Sequence, residues 1–255
     1  MKIKVLGCSG AEFPRHNTPG FLLDKEILFD AGSLTNALSE DAQLKLHTIF
    51  ITHAHLDHIK GIPFLADNLI SRDKGHKVTI MSIPPVIKII RENLFNGNVW
   101  PDFTILPDPC NGVLKYTRLK EGKPVSITNY RITPYRVNHS VPATGYLVED
   151  RHKRRFFYSG DTGPTEGTWT KIGNTQIHCL IIEVSFPDKM KDTALLTGHL
   201  TAGLLKEEIS KIRFMPERIY ITHTKPQYSE IIRNELKGLK MKNVSILRDG
   251  EIIRV

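Results

Sequence analysis

Three histidines and an aspartate stand within six consecutive positions early in the chain, His53-Ala54-His55-Leu56-Asp57-His58. Imidazole and carboxylate groups are the ligands that zinc, manganese and iron accept in proteins. Four such donors exceed the three protein ligands that one catalytic ion typically uses. The cluster therefore predicts a metal site, and the surplus of donors favours two ions. The alternative interpretation is a basic turn without any ligand role.

Further donors stand later in the chain, each close to the end of a predicted strand or beside a turn. They are His139, Asp161, His199 and His223. Taken singly, a histidine in such a place is more often an ordinary surface or core residue than a ligand. The early cluster changes that balance, because a second metal ion needs donors from elsewhere in the chain. We therefore expect His139, Asp161 and His223 to join the cluster.

The elements that must position these donors follow from hydrophobic periodicity. Strands are predicted at 2–7, 21–23, 27–29, 48–52, 78–81, 125–128, 131–137, 144–148, 155–159, 180–183, 218–222, 244–247 and 252–255. Helices are predicted at 61–70, 86–94 and 202–212, the last with Thr201 as its N-cap. Two strand-rich halves, each with helices, predict an α/β fold arranged as a four-layer αββα sandwich.

The domain prediction is one unit over residues 1–255. Residues 84–124 are rich in prolines and turn residues, and we interpret them as an insertion that covers the active site or contacts a second subunit in a homodimer. The basic run 151–155 lies between two predicted strands and is interpreted as a solvated hairpin tip, with an RNA contact as the alternative.

Composition limits the environment and the partners. The chain has 255 residues, 40% hydrophobic and 24% charged, with a formal net charge of +8. A positive balance favours encounter with anions such as phosphates and nucleotides. Three widely spaced cysteines do not form a disulfide framework, and no apolar run has membrane-spanning length. We expect a cytoplasmic protein with no membrane partner.

The cluster resembles the His-x-His-x-Asp-His signature of metallo-β-lactamase superfamily hydrolases. That resemblance implies one metal held by His53, His55 and His139, a second held by Asp57, His58 and His223, and Asp161 as a bridge. Blocks between about residues 5 and 225 are similar to those of class II 3′,5′-cyclic-nucleotide phosphodiesterases. Those blocks include Ser159-Gly160-Asp161-Thr162-Gly163-Pro164, Glu183-Val184-Ser185-Phe186-Pro187 and Gly198-His199-Leu200-Thr201.

The resemblance implies hydrolysis of a phosphodiester by a hydroxide that bridges two divalent ions, most often Zn²⁺, with Mn²⁺ or Fe²⁺ as alternatives. The candidates for catalysis are Asp57, His199 and Lys225. His199 would protonate the leaving oxygen, and Lys225 would contact the phosphate. Their alternative readings are a capping-loop histidine and a solvated lysine. Glu183, which ends an apolar strand, is expected to orient His58 or His223 rather than to face solvent.

Four functions remain open at this point. The first is hydrolysis of a small anionic phosphodiester, a 3′,5′-cyclic nucleotide above all. The second is cleavage of RNA in the manner of the related tRNA 3′-end endonucleases, although no glycine-rich arm is present in the sequence. The third is hydrolysis of a lactone or thioester. The fourth is a metal-binding module without catalysis.

Overall fold

The computed structural model describes residues 1–73 and 75–255. Over these residues the strands are β1 (Lys2–Gly7), β2 (Gly20–Leu23), β3 (Ile27–Phe29), β4 (Thr48–Phe50), β5 (Val78–Ser82), β6 (Leu114–Arg118), β7 (Val125–Ile127), β8 (Tyr130–Arg136), β9 (Thr144–Asp150), β10 (Arg155–Tyr158), β11 (Cys179–Glu183), β12 (Arg218–Thr222), β13 (Val244–Ile246) and β14 (Ile252–Arg254). The α-helices are α1 (Leu34–Ala37), α2 (Glu40–Gln43), α3 (Leu56–Ile59), α4 (Gly61–Arg72), α5 (Pro84–Asn93), α6 (Glu166–Ile172), α7 (Lys191–Thr197), α8 (Ala202–Ser210) and α9 (Ser229–Gly238). Short 3₁₀ turns cover Asp188–Met190 and Pro226–Tyr228.

The strands form two seven-stranded mixed sheets. The first has the order β14-β1-β2-β3-β4-β5-β6, and the second has the order β13-β12-β11-β10-β9-β8-β7. Strands β3 to β6 are parallel to one another, as are β10 to β13. Because β8 and β10 both run antiparallel to β9, the carboxyl ends of β8, β10, β11 and β12 lie at the same edge of the second sheet.

Aromatic side chains fill the layer between the sheets. Phe29 of the first sheet lies 5.7 Å from Tyr146 and 5.6 Å from Phe156 of the second sheet, measured between ring centroids. Along β4, Phe50 belongs to this inner cluster while its neighbour Ile49 belongs to the outer cluster of the first sheet. Successive side chains of a strand point to opposite faces, so a sheet covered on both sides needs such residues in unbroken runs.

Helices cover the two outer faces. Leu65 and Leu69 of α4 are buried in the outer cluster of the first sheet, and Leu205 of α8 and Ile232 of α9 are buried in the outer cluster of the second. Each fully buried side chain of this kind contributes about 1.5–3 kcal/mol relative to an exposed one. The layers are therefore helix, sheet, sheet, helix, and the predicted αββα sandwich is confirmed.

The predicted strands and the helices α4, α5 and α8 are confirmed with boundaries that differ by a few residues. Thr201 is the N-cap of α8, because its side chain accepts a hydrogen bond from the N–H of Leu204 at 3.3 Å. The sequence analysis did not predict strand β6 or the helices α1, α2, α3, α6, α7 and α9. In α9 only Ile232 and Leu236 are buried, and their spacing of four residues is a helical pattern that the sequence analysis did not use.

Residues 84–124 are more regular than the sequence reading suggested. They contribute α5 and the edge strand β6, which pairs with β5. Phe95 and Phe103 between them are buried in the outer core of the first sheet. A role for this segment over the active site or in a subunit contact stays a prediction.

The basic run 151–155 is a hairpin tip between β9 and β10, and Arg154 forms two hydrogen bonds to Glu217 at 2.9 and 2.8 Å. The cysteines Cys8, Cys110 and Cys179 are unpaired. Over residues 1–73 and 75–255, every helix is too short or too polar to cross a bilayer.

Candidate metal centre

The predicted donors follow the carboxyl ends of strands that meet at one edge of the sandwich. His53 comes three residues after β4, and Asp57 and His58 lie in α3 immediately beyond it. His139, Asp161 and His223 follow β8, β10 and β12 of the second sheet. The edge shared by these strands explains how donors that span some 170 positions of sequence come together.

The donor atoms form three groups, and within each group the ligand atoms lie within 4.8 Å of one another. The first contains His53, His55, His139 and Asp161, and the second contains Asp57, His58 and His223. The third joins His199 to Asp161 and His223. Asp161 lies between the first two groups. Its Oδ1 is 3.4 Å from His58 Nε2, and its Oδ2 is 3.6 Å from His53 Nε2 and 3.3 Å from His223 Nε2.

Most of the imidazoles present one nitrogen to the site and bond the protein through the other. His58 Nδ1 lies 2.8 Å from Asp30 Oδ2, His53 Nδ1 lies 3.0 Å from Thr52 Oγ1, and His139 Nδ1 lies 2.8 Å from the carbonyl oxygen of Gly198. These partners assign the ring proton to Nδ1 and leave the Nε2 lone pair free to bind a cation.

The chemistry of the site fits a metal ion. His53 Nε2 and His58 Nε2 are buried and have no hydrogen-bond partner among the described residues. A buried polar atom without a partner costs about 1–3 kcal/mol, so two of them aimed at one carboxylate indicate a binding site for a cation. Burial, reinforced by neighbouring imidazoles, lowers the pKa of His53, which keeps that ring neutral as a ligand must be.

The carboxylates of the site are ionised. Burial opposes ionisation of Asp161, but the imidazoles of His223 and His58 hold its pKa well below the usual range. Asp57 is in the same situation, because burial raises its pKa and the surrounding His58 and His223 lower it by more. Asp57 remains 31% exposed in its side chain, which opens this side of the centre to solvent.

Asp30 is a buried carboxylate beneath the centre that the sequence reading missed. Its oxygens accept hydrogen bonds from the Thr52 N–H at 2.8 Å, the Thr52 hydroxyl at 2.8 Å and the Tyr158 hydroxyl at 2.7 Å, in addition to His58 Nδ1. Thr52 in turn contacts His53, so Asp30 orients two imidazoles. The sequence pattern that could have predicted Asp30 is an acidic residue at the end of the apolar strand β3, the same pattern that Glu183 shows at the end of β11.

Glu183 has a different role from the one expected. It does not orient His58, which Asp30 supports. Its Oε1 lies 2.6 Å from His199 Nδ1, and its Oε2 accepts a hydrogen bond from the Ser185 hydroxyl at 2.6 Å. Ser185 Oγ lies 2.8 Å from His223 Nδ1, so Glu183 reaches His223 only through this serine. Ser185 is a second residue that the sequence reading missed.

His199 lies against the imidazoles of His139 and His223. Its ring is stacked on that of His223 with centroids 5.4 Å apart, and the His139 ring centroid is 5.1 Å away. Burial lowers the pKa of His199, but the charge of Glu183 and its hydrogen bond outweigh burial and raise the pKa to about 9. The imidazole therefore carries both protons at neutral pH.

Lys225 lies beside this group rather than within it. Its Nζ donates a hydrogen bond to the carbonyl oxygen of Gly10 at 3.1 Å and lies 5.3 Å from the centroid of the Phe186 ring. Phe186 in turn packs against His199, with ring centroids 5.7 Å apart. The ammonium is thus held close to His199, with donors left for a further acceptor.

Backbone geometry supports the later donors. His223 has a φ of 59°, which a residue with a side chain rarely adopts, and its N–H donates to the carbonyl oxygen of Cys8 at 2.7 Å. Gly198 has a φ of 71°, and a Cβ atom there would lie 2.9 Å from the Cα of His139. This close approach lets the Gly198 carbonyl accept the hydrogen bond from His139.

Known proteins resemble this chain in both sequence and structure. The chain is 28% identical over 210 residues to the "Probable 3′,5′-cyclic-nucleotide phosphodiesterase" of Yersinia pestis, which covers 72% of this chain and 59% of that protein. This chain therefore spans about three fifths of the length of the Yersinia protein. It is also 24% identical over 285 residues to the ribonuclease Z of Archaeoglobus fulgidus, which covers 90% of this chain and 89% of that one.

The crystal structure of unliganded yeast PDE1 has the same fold, with a TM-score of 0.85 over 100% of this chain and 99% of that chain at 20% identity. The pattern of the beta-lactamase superfamily domain matches residues 25–224. That range contains every donor described above, and the fold together with the histidine and aspartate clusters indicates binding of a divalent metal. The chain therefore belongs to the beta-lactamase superfamily domain family of metallohydrolases.

Proposed function

We propose that this protein is a binuclear metal-dependent phosphodiesterase that hydrolyses a 3′,5′-cyclic nucleotide. The observation that carries the proposal is the position of Asp161, whose two carboxylate oxygens face imidazoles of the first two donor groups. Relatives with cyclic-nucleotide phosphodiesterase names, in Yersinia pestis and Aliivibrio fischeri, support the choice of substrate.

In this proposal His53, His55 and His139 would hold one ion, Asp57, His58 and His223 would hold the other, and Asp161 would be a ligand of both. Two divalent ions, with Zn²⁺ preferred and Mn²⁺ or Fe²⁺ as alternatives, would activate water as the nucleophile at neutral pH and neutralise charge on the phosphoryl oxygens. Asp30 and Ser185 fix the rings of His58 and His223, so the donor atoms are in place before substrate arrives.

The proton for the leaving oxygen comes from His199. One P–O ester bond breaks as the new P–O bond to the attacking oxygen forms, and the alkoxide that leaves needs a proton. His199 is held by Glu183 through Nδ1 at 2.6 Å, which directs its other nitrogen away from that carboxylate. The Lys225 ammonium supplies positive charge to the same phosphate, and Asp57 lies on the exposed side where substrate enters.

The test compares two leaving groups in the variant His199→Asn. Cyclic AMP releases an alkoxide that must be protonated, whereas bis-p-nitrophenyl phosphate releases a stable phenolate. We expect kcat for cyclic AMP to fall by about 10²–10⁴-fold and kcat for the nitrophenyl ester to change far less. Equal losses on both substrates would remove His199 from the proton-transfer role.

Metal analysis and a substrate panel test the rest of the proposal. We expect two equivalents of metal per chain and turnover of cyclic AMP. A protein that binds one ion or none, or that hydrolyses only a lactone or thioester, would contradict it.

Ribonuclease Z activity is the second candidate. The relative of that name in Archaeoglobus fulgidus matches this chain over nearly the whole length of both proteins, which the Yersinia relative does not. Precursor tRNA therefore belongs in the same panel. Cleavage of tRNA with no turnover of cyclic AMP would assign the site to RNA.

A further inference from the structure

A cavity of about 380 Å³ lies beside the loop that carries His223. Its walls come from the loop after β1, the loop after β12, helix α9 and the turn between β13 and β14. Thr224, the neighbour of His223, lies in the wall. Over the described chain the lining includes none of the proposed metal ligands, so this cavity is separate from the metal centre.

Three guanidinium groups from three different segments face this cavity. Arg15 follows β1, Arg233 lies on α9 and Arg248 follows β13. All three side chains are exposed, and within residues 1–73 and 75–255 none of them forms a side-chain hydrogen bond or an ion pair. Arginine forks without a carboxylate partner are well suited to bind phosphoryl oxygens in pairs.

The carboxylate of the cavity is already engaged. Asp249 Oδ1 accepts hydrogen bonds from Cys8 N at 3.1 Å and Cys8 Sγ at 3.3 Å, and its Oδ2 accepts one from Asn17 N at 2.8 Å. Both oxygens therefore bind the backbone of the loop after β1. Asp249 holds that loop in place and leaves the arginines free to meet an external anion.

A second cavity of about 510 Å³ adjoins the first, because Arg233, Ile246 and Arg248 line both. It adds Lys237, Lys240 and Lys242, and its lining contains no acidic residue among the described residues. Six arginine and lysine side chains thus border the two adjoining cavities, against the single carboxylate of Asp249 among the described residues. One phosphate group would satisfy only part of this charge, which favours a ligand with several linked phosphates.

We propose that these cavities form a binding site for a small polyphosphate anion, either inorganic or carried by a nucleotide. The site is independent of the proposed phosphodiesterase reaction. Its wall is nevertheless joined to the metal centre, because Gly10 N donates to the Thr224 carbonyl at 3.2 Å and His223 N donates to the Cys8 carbonyl at 2.7 Å. A bound anion would clamp the segments on both sides of that junction.

Calorimetric titration with sodium tripolyphosphate tests the proposal on the metal-loaded protein at physiological ionic strength. The double variant Arg233→Ala/Arg248→Ala should bind at least about tenfold more weakly than wild type, since it loses two charge-assisted contacts. The matched control Arg213→Ala removes an exposed arginine that lines neither cavity and should bind within about twofold of wild type. Melting curves without ligand should coincide for all three proteins, because the replaced side chains are exposed.

The metal centre also attracts phosphates, so the difference between the variants decides the result. Equal affinity in wild type and the double variant would place the anion at the metals and overturn the proposal.

A parallel titration with adenosine triphosphate separates the two sources of the ligand. If adenosine triphosphate and tripolyphosphate bind wild type with equal affinity, the site recognises the phosphate chain alone. If adenosine triphosphate binds more tightly, its nucleoside adds contacts to the apolar wall at Leu236 and Met241. The assignment to a small anion would be overturned if a single-stranded RNA bound wild type more tightly than both tripolyphosphate and adenosine triphosphate, and if the double variant no longer bound that RNA.

Discussion

Asp30 and Glu183 are two fully buried carboxylates, one from each sheet, that support the same metal centre in different ways. Asp30 binds His58 directly and His53 through Thr52, so its contacts end on proposed ligands. Glu183 binds His199 directly and reaches His223 only through Ser185. The first sheet therefore orients proposed metal ligands, whereas the second sheet also holds the group that we propose as the proton donor.

The variant Glu183→Gln should have the largest effect. A neutral amide removes the charge that holds the proton on His199, so we expect kcat for cyclic AMP to fall by about 100-fold or more. Metal content should stay near wild type, as measured by elemental analysis. Glu208→Gln is the matched control, because Glu208 is equally buried but does not contact the metal centre. Its Oε2 accepts a hydrogen bond from Trp169 Nε1 at 2.7 Å. Loss of metal in Glu183→Gln would erase the difference between the two carboxylates.

The variant Asp30→Asn should weaken metal binding by about 10–100-fold. An amide nitrogen placed beside His58 Nδ1 drives the ring proton to Nε2, where it blocks the lone pair that faces Asp161. Competition with a chromogenic chelator measures the affinity, and excess metal should restore most of the activity. Full metal occupancy with lost activity would contradict this assignment.

The variant Ser185→Ala should sharpen the comparison with a smaller effect. It removes the link from Glu183 to His223 and leaves the bond from Glu183 to His199. We expect about a tenfold loss of metal affinity, at the lower end of such effects. The ratio of rates on cyclic AMP and bis-p-nitrophenyl phosphate should stay at the wild-type value. A change in this ratio of rates would show that Ser185 acts on His199. Ser185 Oγ lies 3.2 Å from His199 Nδ1.

The variant Tyr158→Phe should have the smallest effect. It deletes the buried hydroxyl that donates to Asp30 at 2.7 Å and leaves the ring in place between the sheets. Loss of this hydrogen bond should lower the free energy of unfolding by about 1–3 kcal/mol, measured by urea denaturation, with little change in kcat. An unchanged free energy of unfolding would mean that Asp30 needs no third partner.

The sequence predicted most of the strands, but of the helices it predicted only α4, α5 and α8. Strands such as β11, with five consecutive buried residues, give a strong local signal. Helices α6 and α7 are seven residues long, and packing against the second sheet stabilises them more than their own periodicity does. Such packing depends on contacts that are remote in sequence, so it leaves little trace in a short window.

For a similar reason, the sequence could not predict which carboxylate forms a hydrogen bond to which imidazole of the site. Asp30 and Glu183 present the same local pattern, an acid at the end of an apolar strand, and nothing in that pattern tells which imidazole each one meets. The order of strands at the common edge decides it. Of the two rings predicted for Glu183, His58 is supported by Asp30 instead, because Asp30 follows β3 of the first sheet while β11 lies in the second. The other ring, His223, is linked to Glu183 through Ser185.

The sequence by itself determined the types of the donor groups and the local spacing of His53, His55, Asp57 and His58, because neighbouring positions in a chain cannot separate far. Only the tertiary structure decided which distant groups join them, which carboxylate supports which ring, and that six cations from separate segments border one pair of cavities. Those relations depend on how two sheets pack face to face, and packing of this kind is a property of the whole chain rather than of any segment.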